Sequence, residues 1–274
     1  MKLIQKLFKF IFILIIFFIL LLSYAFFIEP FRITTNHHII NETNGDQSFR
    51  VVQITDLHIT ERYNIPQLIK VIDTVQEQNP DIIVFTGDLY DDYTKYQADD
   101  DVISALSSLH APYGKYAVWG NHDYGGGAQR AYERIMKESG FELLTNQSSV
   151  IEMYNRRIKI SGLDDALLGQ PDTSFLETND TYAYHILLSH EPDIVDTINL
   201  NNIPLVLSGH SHGGQVYIPG FARQTTSLAE NYVAGFYDIN NGQTKLYVST
   251  GLGTTTIPIR FLVPPEIAVF DIFI

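Results

Sequence analysis

Phe49-Arg50-Val51-Val52-Gln53-Ile54-Thr55-Asp56-Leu57-His58 is the stretch on which the reading of this chain turns. Phe49 to Ile54 is a short, β-prone apolar run that ends just before Asp56, the pattern of a buried strand running into a loop. The pattern recurs four times. Ile82 to Phe85 leads into Gly87-Asp88, and Tyr116 to Val118 into Gly120-Asn121-His122-Asp123. Ile186 to Leu188 leads into Ser189-His190, and Leu205 to Leu207 into Gly209-His210-Ser211-His212. Sheets of α/β proteins place their sites in loops at the carboxyl ends of strands. Five such loops can converge on one point, and they offer the Asp, Asn and His side chains that hold two adjacent divalent metals.

In this order and spacing the five motifs resemble those of the calcineurin-like metallophosphoesterases, over residues 49 to 274. The nearest branch looks like the membrane-anchored bacterial phosphoesterases that include the UDP-2,3-diacylglucosamine hydrolase type. Gly209 to Val216 and Gly251 to Ile267 add to that likeness. The resemblance implies a four-layer α-β-β-α sandwich of two mixed sheets. It assigns Asp56, His58 and His212 to one metal and Asn121, His190 and His210 to a second, with Asp88 bridging. A donor set of hard oxygens and imidazoles suits Mn²⁺, the first expectation, or Fe or Zn²⁺. The resemblance further implies a hydroxide between the two ions as nucleophile. His122 would contact the phosphoryl group and protonate, or electrostatically stabilise, the leaving oxygen, with Asp91 as its acidic orienting partner. One position departs from the pattern. The Ser/Thr phosphoprotein phosphatases of the superfamily carry a phosphate-gripping Arg where this chain has Asp92, which argues against that activity.

The 274 residues suffice for one sizeable domain plus an extra segment. A formal net charge of −13 argues against nucleic acid as a partner, since phosphate backbones attract Lys and Arg. It is no bar to a phosphate-ester substrate, because two bound dications reverse the local field. The absence of cysteine excludes disulfides and thiolate ligands and fits an extracytoplasmic protein.

Lys2, Lys6 and Lys9 precede a charge-free apolar stretch, Phe10 to Ile28, of the length that spans a bilayer. Basic residues before the span put the amino terminus inside and the rest outside. Residues 1–28 are therefore expected as a retained single-pass anchor in the cell membrane, with an extracytoplasmic catalytic domain. Ser23-Tyr24-Ala25 offers the alternative of a cleaved signal peptide, against which stand the bulky Tyr24, Phe26 and Phe27. Phe and Ile on every face speak against a buried core helix. Residues 29–48 are polar and are expected as a linker, with His37-His38 a solvated pair. Residues 49–274 form the expected metallophosphoesterase domain.

Within it, Leu68, Ile69, Ile72 and Val75 have helical spacing, with Pro66 in the first turn and Asn79-Pro80 as the stop. Strand, helix, strand in succession implies a right-handed parallel crossover. Helices are also expected over Val102 to Leu109 and Ala128 to Ser139, the latter closed by Gly140. The second half reads as more antiparallel, with strands over Ser149 to Tyr154, Arg157 to Gly162, Tyr217 to Ile218, Val233 to Ile239 and Lys245 to Ser249.

Several residues have plain structural readings. Asp123 is read as a helix N-cap. His110 and His185 are read as structural. Asp56 with His58, and His210 with His212, are each separated by one residue and would point the same way from extended backbone. Gly213-Gly214 reads as a turn or as a close backbone approach to substrate. Arg260 reads as meeting a substrate anion or a surface carboxylate. Phe221, Tyr232, Phe236 and Tyr237 read as core, though beside a membrane-tethered site they would suit an acyl chain.

The expected reaction is metal-dependent hydrolysis of a phosphodiester or pyrophosphate bond, on a lipid-linked or nucleotide-linked substrate of the UDP-2,3-diacylglucosamine type at the membrane. The alternatives are an extracytoplasmic phosphodiesterase or phosphatase acting on nucleotides or cell-wall phosphates, and a cyclic-nucleotide phosphodiesterase. A non-catalytic metal-dependent binding module is a further class, against which stands the completeness of the ligand set.

Overall fold

The apolar runs pair into two six-stranded sheets packed face to face, seen in a computed structural model that describes residues 2–41, 45–177 and 181–274. In chain order the elements begin with α1 (Lys2–Phe27), β1 (Thr34–Ile40), β2 (Ser48–Ile54), α2 (Ile65–Glu77), β3 (Ile82–Phe85), α3 (Asp99–Ser107) and β4 (Lys115–Ala117). They continue with α4 (Asn121–Gly125), α5 (Gln129–Glu138), β5 (Glu142–Leu143), β6 (Gln147–Met153), β7 (Arg156–Gly162), β8 (Tyr184–Leu188), β9 (Leu205–Ser208), β10 (Gly235–Ile239), β11 (Thr244–Val248) and β12 (Glu266–Phe273). One sheet has the order β1-β12-β2-β3-β4-β5 and the other β10-β11-β9-β8-β7-β6.

Alternation along each strand builds the layers. Val51, Val84 and Val118 point between the sheets and meet Ile160, Ile186, Leu188 and Leu207. Val52, Ile54, Ile83 and Phe85 point the other way, onto Leu68, Val71, Val75, Leu106 and Ile135 of the outer helices. Outside the second sheet, Leu187, Val206 and Val248 are covered by Leu176, Val195 and Leu200. The four expected layers are present. The outer cover of the second sheet is made of short 3-10 turns, Ser174–Leu176 and Pro192–Asp196, rather than long helices.

The strand expected over Ile82 to Phe85 is present with those bounds, the helix expected over Ile65 to Gln78 spans Ile65–Glu77, and Gly140 closes α5 with a φ of 81°. Three expectations are corrected, and one strand is new. The second half is not predominantly antiparallel: β7, β8, β9 and β11 run parallel, because their apolar residues are buried on both faces. Tyr217 to Ile218 forms no strand, and Val216 makes only a single bridge to Phe261. β12, unassigned from sequence, lies between β1 and β2. The segment 29–48, expected as a linker, carries β1, paired in parallel with β12. Its polar residues suit an edge strand, and His38 packs its ring 4.8 Å from Tyr247 and 5.4 Å from Phe270. His37 is exposed on that edge.

α1 is long and apolar enough to cross a membrane and is exposed over most of its length.

His185 in β8 has a consequence for acid stability. It is 4% exposed, with its Nε2 2.7 Å from Ser161 Oγ. Burial, helped by the Lys159 charge, pushes its pKa down to about 4. The unfolded chain, with an ordinary imidazole, therefore binds the extra proton more readily, and stability is lost as pH falls from about 6.5 towards 4. At pH 5 this group alone costs about 2 kcal/mol relative to pH 7. Urea unfolding of the full chain in detergent is expected to show a smaller drop between those pH values in His185→Gln than in wild type. Equal drops in the two proteins would refute the assignment.

Candidate metal centre

All five motif loops leave the carboxyl ends of β2, β3, β4, β8 and β9 at one edge of the sandwich. The backbone there is not extended. Asp56, His58, Asp88, His210 and His212 have φ values of 52°, 42°, 62°, 69° and 51°, in the left-handed region that side-chain-bearing residues rarely enter. The expectation that paired residues project together from extended backbone is corrected. Each turns inward because its own backbone reverses, at a cost of roughly 1–2 kcal/mol per residue. Gly87, at φ 96°, is packed so closely that a Cβ would come 2.6 Å from His190 Nδ1 and 2.7 Å from the Gly120 nitrogen.

The side chains gather into two donor groups. In the first, His212 Nε2 faces His58 Nε2 at 3.0 Å and lies 3.5 Å from Asp56 Oδ1. In the second, Asn121 Oδ1 lies 2.9 Å from His210 Nδ1 and 3.2 Å from His190 Nε2. Asp88 Oδ2 stands between them, 3.3 Å from His58 Nε2 and 3.2 Å from His190 Nε2. Asp56, His58, Asp88, His190, His210 and His212 are all buried.

Backbone groups set the ring orientations. His190 Nδ1 donates to the Thr86 carbonyl at 2.6 Å, and His210 Nε2 donates to the Ser227 carbonyl at 2.8 Å. Each ring thereby presents its other nitrogen to the cluster, the arrangement expected of metal-ligating histidines. Burial disfavours the imidazolium at His58 and His190, yet the surrounding carboxylates outweigh it and hold both pKa values well above the usual range. Among the described residues, Asp56 and Asp88 have only histidines as ion partners. At His210 and His212 burial wins and both pKa values are lowered, keeping these imidazoles free of a proton as metal ligands require, while the two carboxylates draw positive charge to the cluster, which fits a divalent cation.

Asp91 acts differently from expectation. His122 Nδ1 donates to the backbone carbonyl of Asp91 at 2.7 Å. The Asp91 carboxylate lies 3.9 Å from that nitrogen and closer, at 3.3 Å, to His58 Nδ1. The residue expected to orient His122 does so through its main chain, while its side chain addresses a donor histidine. Asp92 accepts from Thr94 and pairs with exposed Lys95, away from any role as a phosphate grip.

Arg260 is fully buried and meets no surface carboxylate; its Nη2 lies 3.4 Å from Nδ1 of the donor residue His212, behind the cleft. Its guanidinium donates to the carbonyls of Gly253, Thr250 and Val263, holding the 250–263 loop in shape. Glu191 was not singled out in the sequence, but it falls within ligand distance of His190 and His210. Burial and a hydrogen bond with Asp165 push its pKa well above the usual carboxylate range, and its Oε2 accepts the Ala166 N–H at 2.9 Å. Tyr232 and Tyr237 stack edge-on at 4.9 Å, and Phe236 packs on Tyr247, while Phe221 is exposed. His110 is exposed, remote from the centre.

Asp123 is a clamp rather than an N-cap. At the third position of α4, its carboxylate accepts the N–H groups of Asp88 at 2.9 Å, Leu89 at 3.0 Å and Gly120 at 2.9 Å. It ties the second motif loop to the third. Asp123→Asn replaces an acceptor oxygen by a donor and orphans buried N–H groups. It is expected to lower unfolding free energy by about 2 kcal/mol. It should also weaken Mn²⁺ binding in calorimetric titration. Unchanged melting and unchanged Mn²⁺ affinity would remove Asp123 from this role.

Beside the two groups is a cleft of about 280 Å³, bordered by His122, Gln215, Thr225, Thr255 and Ile257. Among the described residues lining it there is no Lys or Arg. The chain is similar in sequence and in fold to known proteins. The family model for calcineurin-like phosphoesterases matches residues 49–214. The chain is 38% identical to an uncharacterized metallophosphoesterase, YkuE of Bacillus subtilis, over 91% of this chain and 89% of that protein. It is 31% identical to the UDP-2,3-diacylglucosamine pyrophosphatase LpxG of Chlamydia trachomatis, over 80% of this chain and 82% of that one. A solved structure, the NAD nucleotidase NadN of Haemophilus influenzae, shares the fold with a TM-score of 0.52 at 13% identity, covering 75% of this chain and 46% of that longer one. The chain belongs to the calcineurin-like phosphoesterase family and is a metallophosphoesterase.

Proposed function

We propose that this metallophosphoesterase holds two divalent ions and hydrolyses a phosphodiester or pyrophosphate bond in a lipid-linked substrate at the membrane. The observation that carries the reading is the position of Asp88 Oδ2 between two donor groups that each hold two imidazoles. Asp56, His58 and His212 would hold one ion and Asn121, His190 and His210 the other, with Asp88 shared. Mn²⁺ suits these hard oxygen and imidazole donors, as do Fe and Zn²⁺. Two ions there would supply Lewis-acid activation of water and of the phosphoryl oxygens.

The chain's own residues do the rest. Asp91 holds the His122 ring with Nδ1–H directed at its carbonyl, leaving Nε2 to exchange a proton with the leaving oxygen. The His122 N–H donates to Asp88 Oδ1 at 2.8 Å, so the proton carrier and the shared carboxylate move as one unit. A cleft without lining Lys or Arg favours a phosphorus that carries two substituents and one negative charge over a dianionic monoester. The lysines before α1 favour a domain on the outer face. That supports a lipid or cell-wall phosphodiester over a cytoplasmic nucleotide sugar of the kind that LpxG is named for.

The test uses the full chain in detergent, stripped with chelator and reloaded with Mn²⁺. Turnover of bis-p-nitrophenyl phosphate, p-nitrophenyl phosphate and a UDP-linked acylated sugar is compared. Chelation and Asp88→Asn are each expected to abolish turnover, with the diester preferred over the monoester. His122→Ala is expected to lose roughly 10²–10⁴ in rate with both metals retained. Turnover that survives chelation defeats the reading, and loss of bound metal in His122→Ala defeats the role given to that residue.

A further inference from the structure

The end of α1 is fastened to the loops that border the cleft. The Arg260 N–H donates to the Ala25 carbonyl at 3.0 Å, and the Val263 N–H donates to Glu29 Oε1 at 2.8 Å. The Phe261 ring lies edge-on to Tyr24 at 6.5 Å. The Arg62 guanidinium donates to the Phe26 carbonyl and sits 3.7 Å from the Phe26 ring centroid. These contacts set the height of the loops relative to the helix.

The helix itself sets its height in a bilayer. Its charge-free part, between Lys9 and Glu29, is about 19 residues long and rises about 28 Å, close to the hydrocarbon thickness of about 30 Å. With Lys9 at one boundary, Ile28 falls at the other. Phe261 packs against Tyr24, one helical turn inside that boundary.

The loops at this height end in apolar side chains. The segment 215–221 is joined to Phe261 by hydrogen bonds from Phe261 N–H to the Gln215 carbonyl and from Tyr217 N–H to the Phe261 carbonyl, both 2.9 Å. On these two segments, Ile218, Phe221, Ile257 and Leu262 are 52%, 72%, 57% and 49% exposed. Phe27 and Ile28 at the adjoining helix end are also exposed. Single exposed apolar residues are ordinary; a group of six on linked segments beside a spanning helix marks an interaction surface. The same loops supply Gln215, Val216, Thr255 and Ile257 to the cleft.

We propose that Ile218, Phe221, Ile257 and Leu262 form a bilayer-docking surface, which seats the lip of the metal cleft in the membrane that holds α1. The partner is the outer phospholipid leaflet, and the cleft then meets phosphoester headgroups at the depth where they lie. This deepens, and rests on, the membrane-bound reading given above. It assigns the apolar loop tips a role in presenting substrate, apart from the chemistry at the donor groups.

The natural absence of cysteine makes the test clean, since each labelled position is the only thiol. Phe221→Cys, Leu262→Cys and Tyr154→Cys are labelled with a polarity-sensitive fluorophore. The full chain is reconstituted in vesicles of phosphatidylcholine and phosphatidylglycerol, with and without lipids bearing a nitroxide near the headgroup. Tyr154 lies at the β6–β7 turn, at the end of the sandwich opposite the cleft, and serves as the water-exposed reference. Labels at 221 and 262 are expected to shift to the blue and to lose about half their emission or more to the nitroxide, as interfacial apolar side chains do, while the label at 154 does neither. Quenching at 221 and 262 no greater than at 154 overturns the proposal. The unlabelled double variant Ile218→Ser/Phe221→Ser gives a second reading. Its rate on a vesicle-borne lipid phosphodiester is expected to fall about tenfold with its rate on bis-p-nitrophenyl phosphate unchanged; equal retention on both substrates overturns the proposal. Turnover of the soluble diester by wild-type vesicles reports on the hydrolase reading separately, so the two can fail independently.

Discussion

The structure is organised around the burial of carboxylates and imidazoles where five strand ends meet. Asp56 and Asp88 are within reach of His58, His190 and His212 in a buried cluster at the wall of the cleft. Placing two carboxylates so close is unfavourable unless positive charge joins them, and the surrounding imidazoles supply part of it. This demand accounts for the local strain. Five of the donor residues hold left-handed backbone, which persists only because the surrounding sheets over-determine it.

The two sheets make that strain tolerable. Their facing sides are filled by large apolar residues from both, Val84 and Phe270 from one and Ile186 and Leu207 from the other, so the strand ends have little freedom to drift. Hydrogen bonds then lock the loops to each other across the chain. Asp123 joins the second and third motifs, and the Thr86 carbonyl fixes His190 from a position 104 residues away. The Asp56 carboxylate accepts the His210 N–H, joining the first motif to the last. The donor groups are therefore a property of the assembled sandwich and not of any one loop.

Coupling continues outward to α1. The 250–263 loop is held from within by buried Arg260, whose own backbone bonds to the last turns of the helix. A side chain that from sequence reads as an anion grip or a surface pair instead braces the cleft wall against α1. The same loop carries Thr255 and Ile257 at the cleft mouth, so the orientation of the helix and the orientation of the cleft are one variable.

The sequence by itself determined the strand ends, which Asp, Asn and His side chains gather there, and the apolar character of α1. Each depends on residues near one another in the chain: an apolar run followed by Gly-Asp or His-Ser-His, or an uncharged stretch after three lysines. Only the tertiary structure decided which atoms do the orienting. The carbonyls of Thr86, Ser227 and Asp91 carry no sequence signal, because every residue has one and only the fold selects which faces a histidine. β12 and β1 were hidden for a related reason: β1 is a polar edge strand and β12 pairs with strands at the far end of the sequence, so neither shows the turn-bounded pattern of the central strands. The left-handed turns at Asp56 and His210 were also illegible, since local preference argues against them and only packing from both sheets enforces them.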